Sequence, residues 1–538
     1  MPTPYAGLFA GADGVEYAPR TGAHVLVSCP TGGGKTESVL APAVICHPGP
    51  VIAVSSKDDL LHLASERRGA GPRYLIDLRQ IETPYYGEDM IACRIDPTML
   101  IDTHDDALNV ATWLHRAASL SLGGKVTSND EPYWAAQIIP SLAALLYAAS
   151  PRGNGLGIDW ALHAVENPFP PQDKESAAAA IPSIKVEQAE MAAAAARYNE
   201  IRDDAAIPES EKLEAEAAMY RSELVYETAK ATQAAAVAAA AAAAESSSGL
   251  TPEELRAQRI AAGEDPNKVF ADMPPSWFDV RQYFADLPFS LLPTKIERVG
   301  GTLAPRQRDS VALGMSAALM PWLYESVRRR ELLVFDPVML NEPGATLFIL
   351  AEPEGGGVPA ALPLVQAVVS AWRARTSAGT LAHNLMVAID ELTNTMPLPT
   401  LDVLVSEARG LGLNLLVAVQ AAQQIAHRYD PVFEETLLNI FPVMLVMHGS
   451  AELDILEQAA LWSGPTTRAR EQLDQTTGNR HLSLDEDALH SAFELQPRQP
   501  YRGRLVFRGT AGIDVRLPSF PEFLHMFDNR TVEGLERI

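Results

Sequence analysis

The sequence predicts an α/β protein, built on a mostly parallel sheet that an all-helical domain interrupts. Three observations carry this reading. Between Ala23 and Leu78, short apolar runs alternate with helical stretches in βαβαβ order, and strands joined through helices lie parallel. The same alternation resumes between Thr346 and Met447. In the intervening stretch, from about Asp105 to Arg330, apolar residues recur at helical spacing and strand patterning is scarce.

In chain order, His24-Val-Leu-Val-Ser28 predicts the first strand, Lys35 to Cys46 a helix, Val51-Ile-Ala-Val-Ser55 the second strand, Asp58 to Arg67 a helix, and Tyr74-Leu-Ile-Asp77 the third strand. The insertion shows its helical period most clearly in Tyr133 to Ala149 and Arg306 to Arg330. Within it, Ser176 to Ser248 is rich in Ala and Glu, breaks at Pro182 and Pro208, and ends in Ser246-Ser-Ser-Gly249. That composition predicts a helical hairpin or solvent-exposed arm, with disorder as the alternative. The second α/β stretch predicts strands at Thr346 to Leu350, Leu385 to Ile389, Asn414 to Val419 and Val443 to Met447. Between them come a helix from about Pro359 to Ser377 and another reaching Arg409. The expected domains are 1–104 and 331–538 for the two parts of the α/β domain, and 105–330 for the insertion with its arm at 176–248.

The chemistry concentrates in two motifs. Pro30-Thr-Gly-Gly-Gly-Lys-Thr36 follows a predicted strand and opens a predicted helix, the context in which a glycine-rich turn aims backbone N–H groups at phosphates. Gly32, Gly33 and Gly34 let the backbone wrap a β-phosphate, Lys35 reaches β- and γ-oxygens, and the Thr36 hydroxyl can ligate Mg²⁺. Cys29 stands where the usual pattern has its first glycine. The second motif, Leu385-Met-Val-Ala-Ile-Asp-Glu391, is an apolar strand ending in two carboxylates, at the edge where open α/β sheets bind ligands. Asp390 would hold the Mg²⁺ shell and Glu391 would orient and deprotonate the attacking water. An apolar run followed by Asp-Glu means little alone; paired with the glycine-rich loop it points to a RecA-like P-loop ATPase core that binds ATP and Mg²⁺.

Two further residues follow from position. Gln420 ends the strand after that one and can reach the same rim to sense the γ-phosphate or water, the alternative being a polar loop residue. Arg409 closes the intervening helix in Ser406-Glu-Ala-Arg-Gly-Leu-Gly412, where its guanidinium could serve a neighbouring subunit's nucleotide as an arginine finger. Its alternative is a favourable partner for the helix dipole.

Bulk properties narrow the class. The 538 residues imply about two to four domain-sized pieces. A net charge of -25 makes the average field repel nucleic acid, so DNA contact requires a local basic surface. Arg306, Arg308 and Arg328-Arg-Arg330 are basic positions of that kind, with a solvated face the alternative. The three cysteines, Cys29, Cys46 and Cys93, suit buried thiols in a reducing cytoplasm. No stretch reaches the roughly 18 apolar residues that span a bilayer, so the expected location is cytoplasmic, or peripheral to the cell membrane.

Taken together, Ser28-Cys-Pro-Thr-Gly-Gly-Gly-Lys-Thr36, Asp390-Glu391, Ala408-Arg-Gly-Leu-Gly-Leu413, Val417-Ala-Val-Gln-Ala-Ala-Gln423, Pro132-Tyr-Trp134 and Leu505-Val-Phe-Arg-Gly509 resemble the type IV secretion coupling proteins, the TraG/TraD-like DNA-transfer ATPases. The resemblance spans nearly the whole chain. It implies a homo-hexameric ATPase that passes DNA or a relaxase-type nucleoprotein to secretion-channel components at the inner membrane, with the helical insertion meeting substrate. Such proteins usually carry N-terminal transmembrane helices, whereas here the P-loop strand begins at His24. A nucleotide-gated adaptor that recruits protein effectors and a soluble segregation-type DNA translocase are the alternatives. DNA-stimulated ATP hydrolysis separates motor from adaptor.

Overall fold

The apolar runs pair into a single broad sheet in the computed structural model, which describes residues 4–65, 69, 71–81, 89–121, 132–168, 185–202, 207–245, 252–287, 289–352, 357–381, 383–407, 412–450, 452–473 and 480–532. In chain order its strands are β1 (His24–Ser28), β2 (Val51–Ser55), β3 (Arg73–Asp77), β4 (Met90–Arg94), β5 (Leu333–Val334), β6 (Thr346–Leu350), β7 (Leu385–Ile389), β8 (Leu413–Val419), β9 (Val443–Met447), β10 (Arg502–Phe507) and β11 (Ile513–Arg516). Their spatial order is β11-β10-β9-β1-β8-β7-β2-β6-β3-β4-β5. Every ladder from β9 to β5 is parallel, and β10 and β11 add an antiparallel margin.

Every residue of β1, β2, β6, β7, β8 and β9 is buried. Parallel strands covered by helices on both faces must be apolar throughout, because neither face meets water. This is why these segments read as unbroken Val, Leu, Ile and Ala runs, and why their ends are visible in the sequence. The outer strands β4 and β11 are only partly buried.

The chain divides into two compact units. One comprises Met1–Asp96, Arg116–Asn129 and Met320–Ile538, and holds the whole sheet; the other comprises Pro97–His115 and Asp130–Leu319. The second unit is helical among its described residues. Its core gathers Trp160, Phe270, Trp277 and Leu142–Leu146, with the Trp277 indole donating to the Val165 carbonyl at 3.2 Å. Lys185–Ile201 and Glu209–Glu245 pack together as a hairpin. The longer helix has 37 residues, which at 1.5 Å per residue is roughly 55 Å of rod. The predicted arm also includes 176–184, 203–206 and 246–248, which lie outside the described residues.

Two expectations need correction, and one element goes unpredicted. The helix expected to run to Arg409 is two short ones, Leu392–Thr395 and Leu401–Ser406, because Pro397 and Pro399 remove amide donors and force the residues before them out of helical geometry. The stretch Arg306 to Arg330 likewise breaks around Pro321, giving Pro305–Leu319, a 3-10 turn at Met320–Leu323 and Glu325–Arg328. A two-stranded ribbon, Pro465–Leu473 with Arg480–Ala488, is not foreseen by the sequence, where only Leu482 and Leu484 alternate among mostly polar residues, too short a pattern to mark a strand. The three cysteines are free, and no helix among the described residues is long and apolar enough to cross a membrane.

Candidate active site

The site is built at the C-terminal edge of the sheet, beginning with the turn that leaves β1. Gly32 and Gly34 adopt φ of 75° and 80°, the left-handed region that side chains resist. A Cβ on Gly33 would stand 2.5 Å from the Cys29 sulfur, so that glycine is required by close approach. Cys29 therefore fills the inside of the turn, and burial pushes its thiol up to about 11, which keeps it protonated and inert. Hydrogen bonds from Gly33 N to the Pro30 carbonyl (3.0 Å) and from the Ser38 amide and hydroxyl to the Gly34 carbonyl (2.9 and 2.7 Å) brace the loop. The chain then enters a wide helical turn at Thr36–Leu40 and continues as Ala41–Cys46.

Strand β8 lies between β1 and β7, yet the two motifs meet above it. The Lys35 ammonium donates to Glu391 Oε2 at 3.1 Å and stands 3.8 Å from Asp390 Oδ1. The Thr36 hydroxyl donates to Asp390 Oδ1 at 3.2 Å, and Ser55, at the end of β2, donates to Oδ2 at 2.9 Å. The two oxygens of Asp390 are thus held from different elements, the helical turn at Thr36–Leu40 and the end of β2. Thr393 donates to Glu391 Oε1 at 3.2 Å, while the Thr395 amide and hydroxyl hold the Glu391 carbonyl at 2.9 and 2.6 Å. Gln420, just past β8, accepts from the Thr31 hydroxyl through Oε1 at 3.0 Å.

Of the residues singled out from sequence, Pro30 through Thr36, Asp390, Glu391 and Gln420 come together on this edge. Arg409 lies outside the described residues. Arg306 and Arg308 belong to the helical unit, where Arg308 pairs with Asp309 at 3.5 Å. Ser55 and Thr393 enter the site from outside both motifs. A polar residue closing an apolar strand, the signal that marks Gln420, also marks Ser55.

The residues present fit a magnesium nucleotide. Three consecutive glycines, two with left-handed backbone, leave the loop free of side chains where phosphates approach, and Lys35 supplies a cation. Thr36 and Asp390 offer hard oxygens 3.2 Å apart. Mg²⁺ suits such a pair because it keeps waters and phosphate oxygens in its remaining positions and needs few protein ligands. No group of three or more His, Cys, Asp or Glu able to hold a metal occurs among the described residues.

Residues 384–495 match the family model described as the TraM recognition site of TraD and TraG. That segment carries Asp390-Glu391 and Ala408 to Leu413, on which the likeness to coupling proteins partly rests. No curated protein sequence matches the chain. Among solved structures, the chain is similar to the bacterial conjugative coupling protein TrwBdeltaN70 in its unbound monoclinic form, with 16% identity, a TM-score of 0.46, and coverage of 95% of this chain and 88% of that one. It is also similar to the plasmid coupling protein TrwB in complex with ADP and Mg²⁺ (15% identity, TM-score 0.45, coverage 92% and 86%), and to VirB4 of Thermoanaerobacter pseudethanolicus (12%, 0.42, 97% and 98%). At these scores the reading of the site rests on its own geometry and on the segment match.

Proposed function

We propose that this chain is an ATP-hydrolysing motor, acting as a homo-hexameric ring, that delivers DNA or a nucleoprotein to a conjugative type IV secretion apparatus. The observation that carries the enzymatic part is the convergence of Lys35, Thr36, Asp390 and Glu391 above an intervening strand. In this reading the glycine-loop amides and Lys35 receive the β- and γ-phosphates of ATP. Thr36 and Asp390 would hold Mg²⁺, whose charge, when bound, offsets the negative charge of the phosphates. Glu391 accepts the proton of the attacking water through a carboxylate oxygen, with Thr393 fixing the carboxylate plane. Lys35 exchanges its present bond to Glu391 for phosphate oxygens, freeing that carboxylate for the water. Gln420, held against Thr31, orients the water, and Arg409 acts on the nucleotide of the next subunit.

The cargo assignment rests on the family resemblance and on the match at 384–495, which also supports docking of a partner protein on that segment. The adaptor reading is favoured by one observation, the net charge of -25, which repels nucleic acid wherever local basic residues do not intervene. Measuring ATP hydrolysis with and without single- and double-stranded DNA at stated salt tests the proposal. Stimulation by DNA supports the motor. Hydrolysis indifferent to DNA moves the function to the adaptor, and absence of hydrolysis with either polymer overturns the enzyme.

A further inference from the structure

We infer that Glu452 is a positioning residue for the nucleotide site, and that its carboxylate ties the turn carrying Gln420 to the base of the glycine-rich loop. The inference rests on the nucleotide reading above and adds a residue to it. Glu452 is buried. Its Oε1 accepts from the Ser28 hydroxyl at 2.6 Å and from the Ala422 amide at 2.7 Å. Ser28 ends β1 two residues before Pro30, and Ala422 lies two residues beyond Gln420. Ser450 completes the clamp by donating to the Ser28 carbonyl at 2.8 Å.

Both strong bonds land on one oxygen, so a single atom sets the distance between the two loops. Above it, Thr31 and Gln420 touch at 3.0 Å. The two loops are therefore joined twice, once by a rigid buried acceptor and once by an exposed side-chain contact that a nucleotide would meet. An anion removed from water needs donors to compensate, and Ser28 and Ala422 supply them. A second carboxylate stands near: burial raises the pKa of Glu434, and the charges of Glu452 and Asp454 raise it further. Glu452 immediately precedes the helix Leu453–Trp462.

Steady-state hydrolysis, ADP binding and thermal melting of Glu452→Ala, Glu452→Asp, Glu452→Gln, Gln420→Ala and the Glu452→Ala/Gln420→Ala pair test this in the full-length chain. Misplacement of a water-orienting group costs up to about a hundredfold, so kcat of Glu452→Ala should fall about tenfold or more. ADP affinity should stay within about twofold, because uniform binding by the glycine loop is untouched. Glu452→Gln keeps an acceptor oxygen for both donors and should restore kcat, whereas Glu452→Asp falls short of Ala422 and should not. The paired variant should be no slower than Gln420→Ala, since residues acting through one another are not additive. Unchanged kcat in Glu452→Ala, full multiplication of the two defects, or joint loss of ADP binding and melting temperature would reduce Glu452 to scaffold. If Glu452→Ala fails to fold, the contrast between Glu452→Asp and Glu452→Gln decides, and equal kcat in these two overturns the proposal. A Lys35→Ala control that hydrolyses normally would instead overturn the nucleotide site itself.

Discussion

Replacing Glu391 by Gln removes the proposed proton acceptor while leaving a side chain of the same size between Lys35 and Thr393. The amide oxygen can face Lys35, at the 3.1 Å of the present contact, and the amide nitrogen can donate to the Thr393 hydroxyl, now 3.2 Å from Oε1. Removing one partner of a fully buried ion pair costs about 3–5 kcal/mol, because the other charge is stranded. Lys35 is not stranded: Asp390 remains 3.8 Å away and the lysine side chain keeps 14% of its exposure. The stability loss should therefore be nearer ~1 kcal/mol. Turnover should suffer far more, since loss of a general base costs about 10²- to 10⁴-fold, or roughly 3–5 kcal/mol of barrier. Initial-rate ATPase assays, paired with equilibrium binding of ATP and with chemical denaturation, measure all three quantities. Normal turnover would remove Glu391 from the chemistry, and loss of ATP binding with an intact fold would mean that Glu391 and Asp390 have exchanged roles.

Lys35→Ala should abolish hydrolysis without unfolding the chain, and circular dichroism with an activity assay checks both halves. Mixing inactive Arg409→Ala with inactive Lys35→Ala should restore part of the activity, because mixed rings contain interfaces with one intact loop and one intact arginine; mixed rings as inactive as their parents would end the finger role. Deleting 176–248 should leave basal hydrolysis largely intact, since both motifs lie in the other unit, and should impair substrate engagement; collapse of the fold would mean that the hairpin supports the core. His24 supplies a pH test: its Nδ1 accepts from the Leu415 amide at 3.1 Å, and burial lowers its pKa from 6.5 to about 4. The unfolded chain takes up this proton near pH 6.5 and the native chain does not, so stability falls as pH drops from 6.5 towards 4. At pH 5 the deficit is roughly 2 kcal/mol, and His24→Asn, which keeps an acceptor but does not titrate, should lose that part of the pH dependence in denaturation curves.

The bounds of β1, β2, β6, β7 and β9 are readable in the sequence because burial on both faces leaves them uniformly apolar between polar ends. Lys35, Thr36, Asp390 and Glu391 are readable because each belongs to a contiguous motif whose chemistry is local. Ser55, Thr393 and Glu452 are ordinary residue types, and their roles depend on neighbours supplied by tertiary structure: Ser55 reaches Asp390 across 335 positions and Ser28 meets Glu452 across 424. The break between Leu392–Thr395 and Leu401–Ser406 is marked locally by Pro397 and Pro399, each of which lacks the amide donor a helix needs. The ribbon from Pro465 to Ala488 alternates apolar and polar residues only briefly, around Leu482 and Leu484, too short a run to stand out as a strand.

The placement of β1 between β8 and β9 also has a consequence for biosynthesis. Strand β1 leaves the ribosome before β8, and its hydrogen-bonding partner at Leu415 follows His24 by 391 residues. At about 5–20 residues per second, that interval is on the order of 20–80 seconds, during which both edges of an apolar strand lack their native neighbours. The helical unit, encoded wholly within the gap, can fold in the meantime, but the glycine-rich loop cannot acquire its carboxylate partners until β7 has been made. Nucleotide binding thus waits on synthesis past β7, and fragments released before β9 would expose strand edges suited to aggregation.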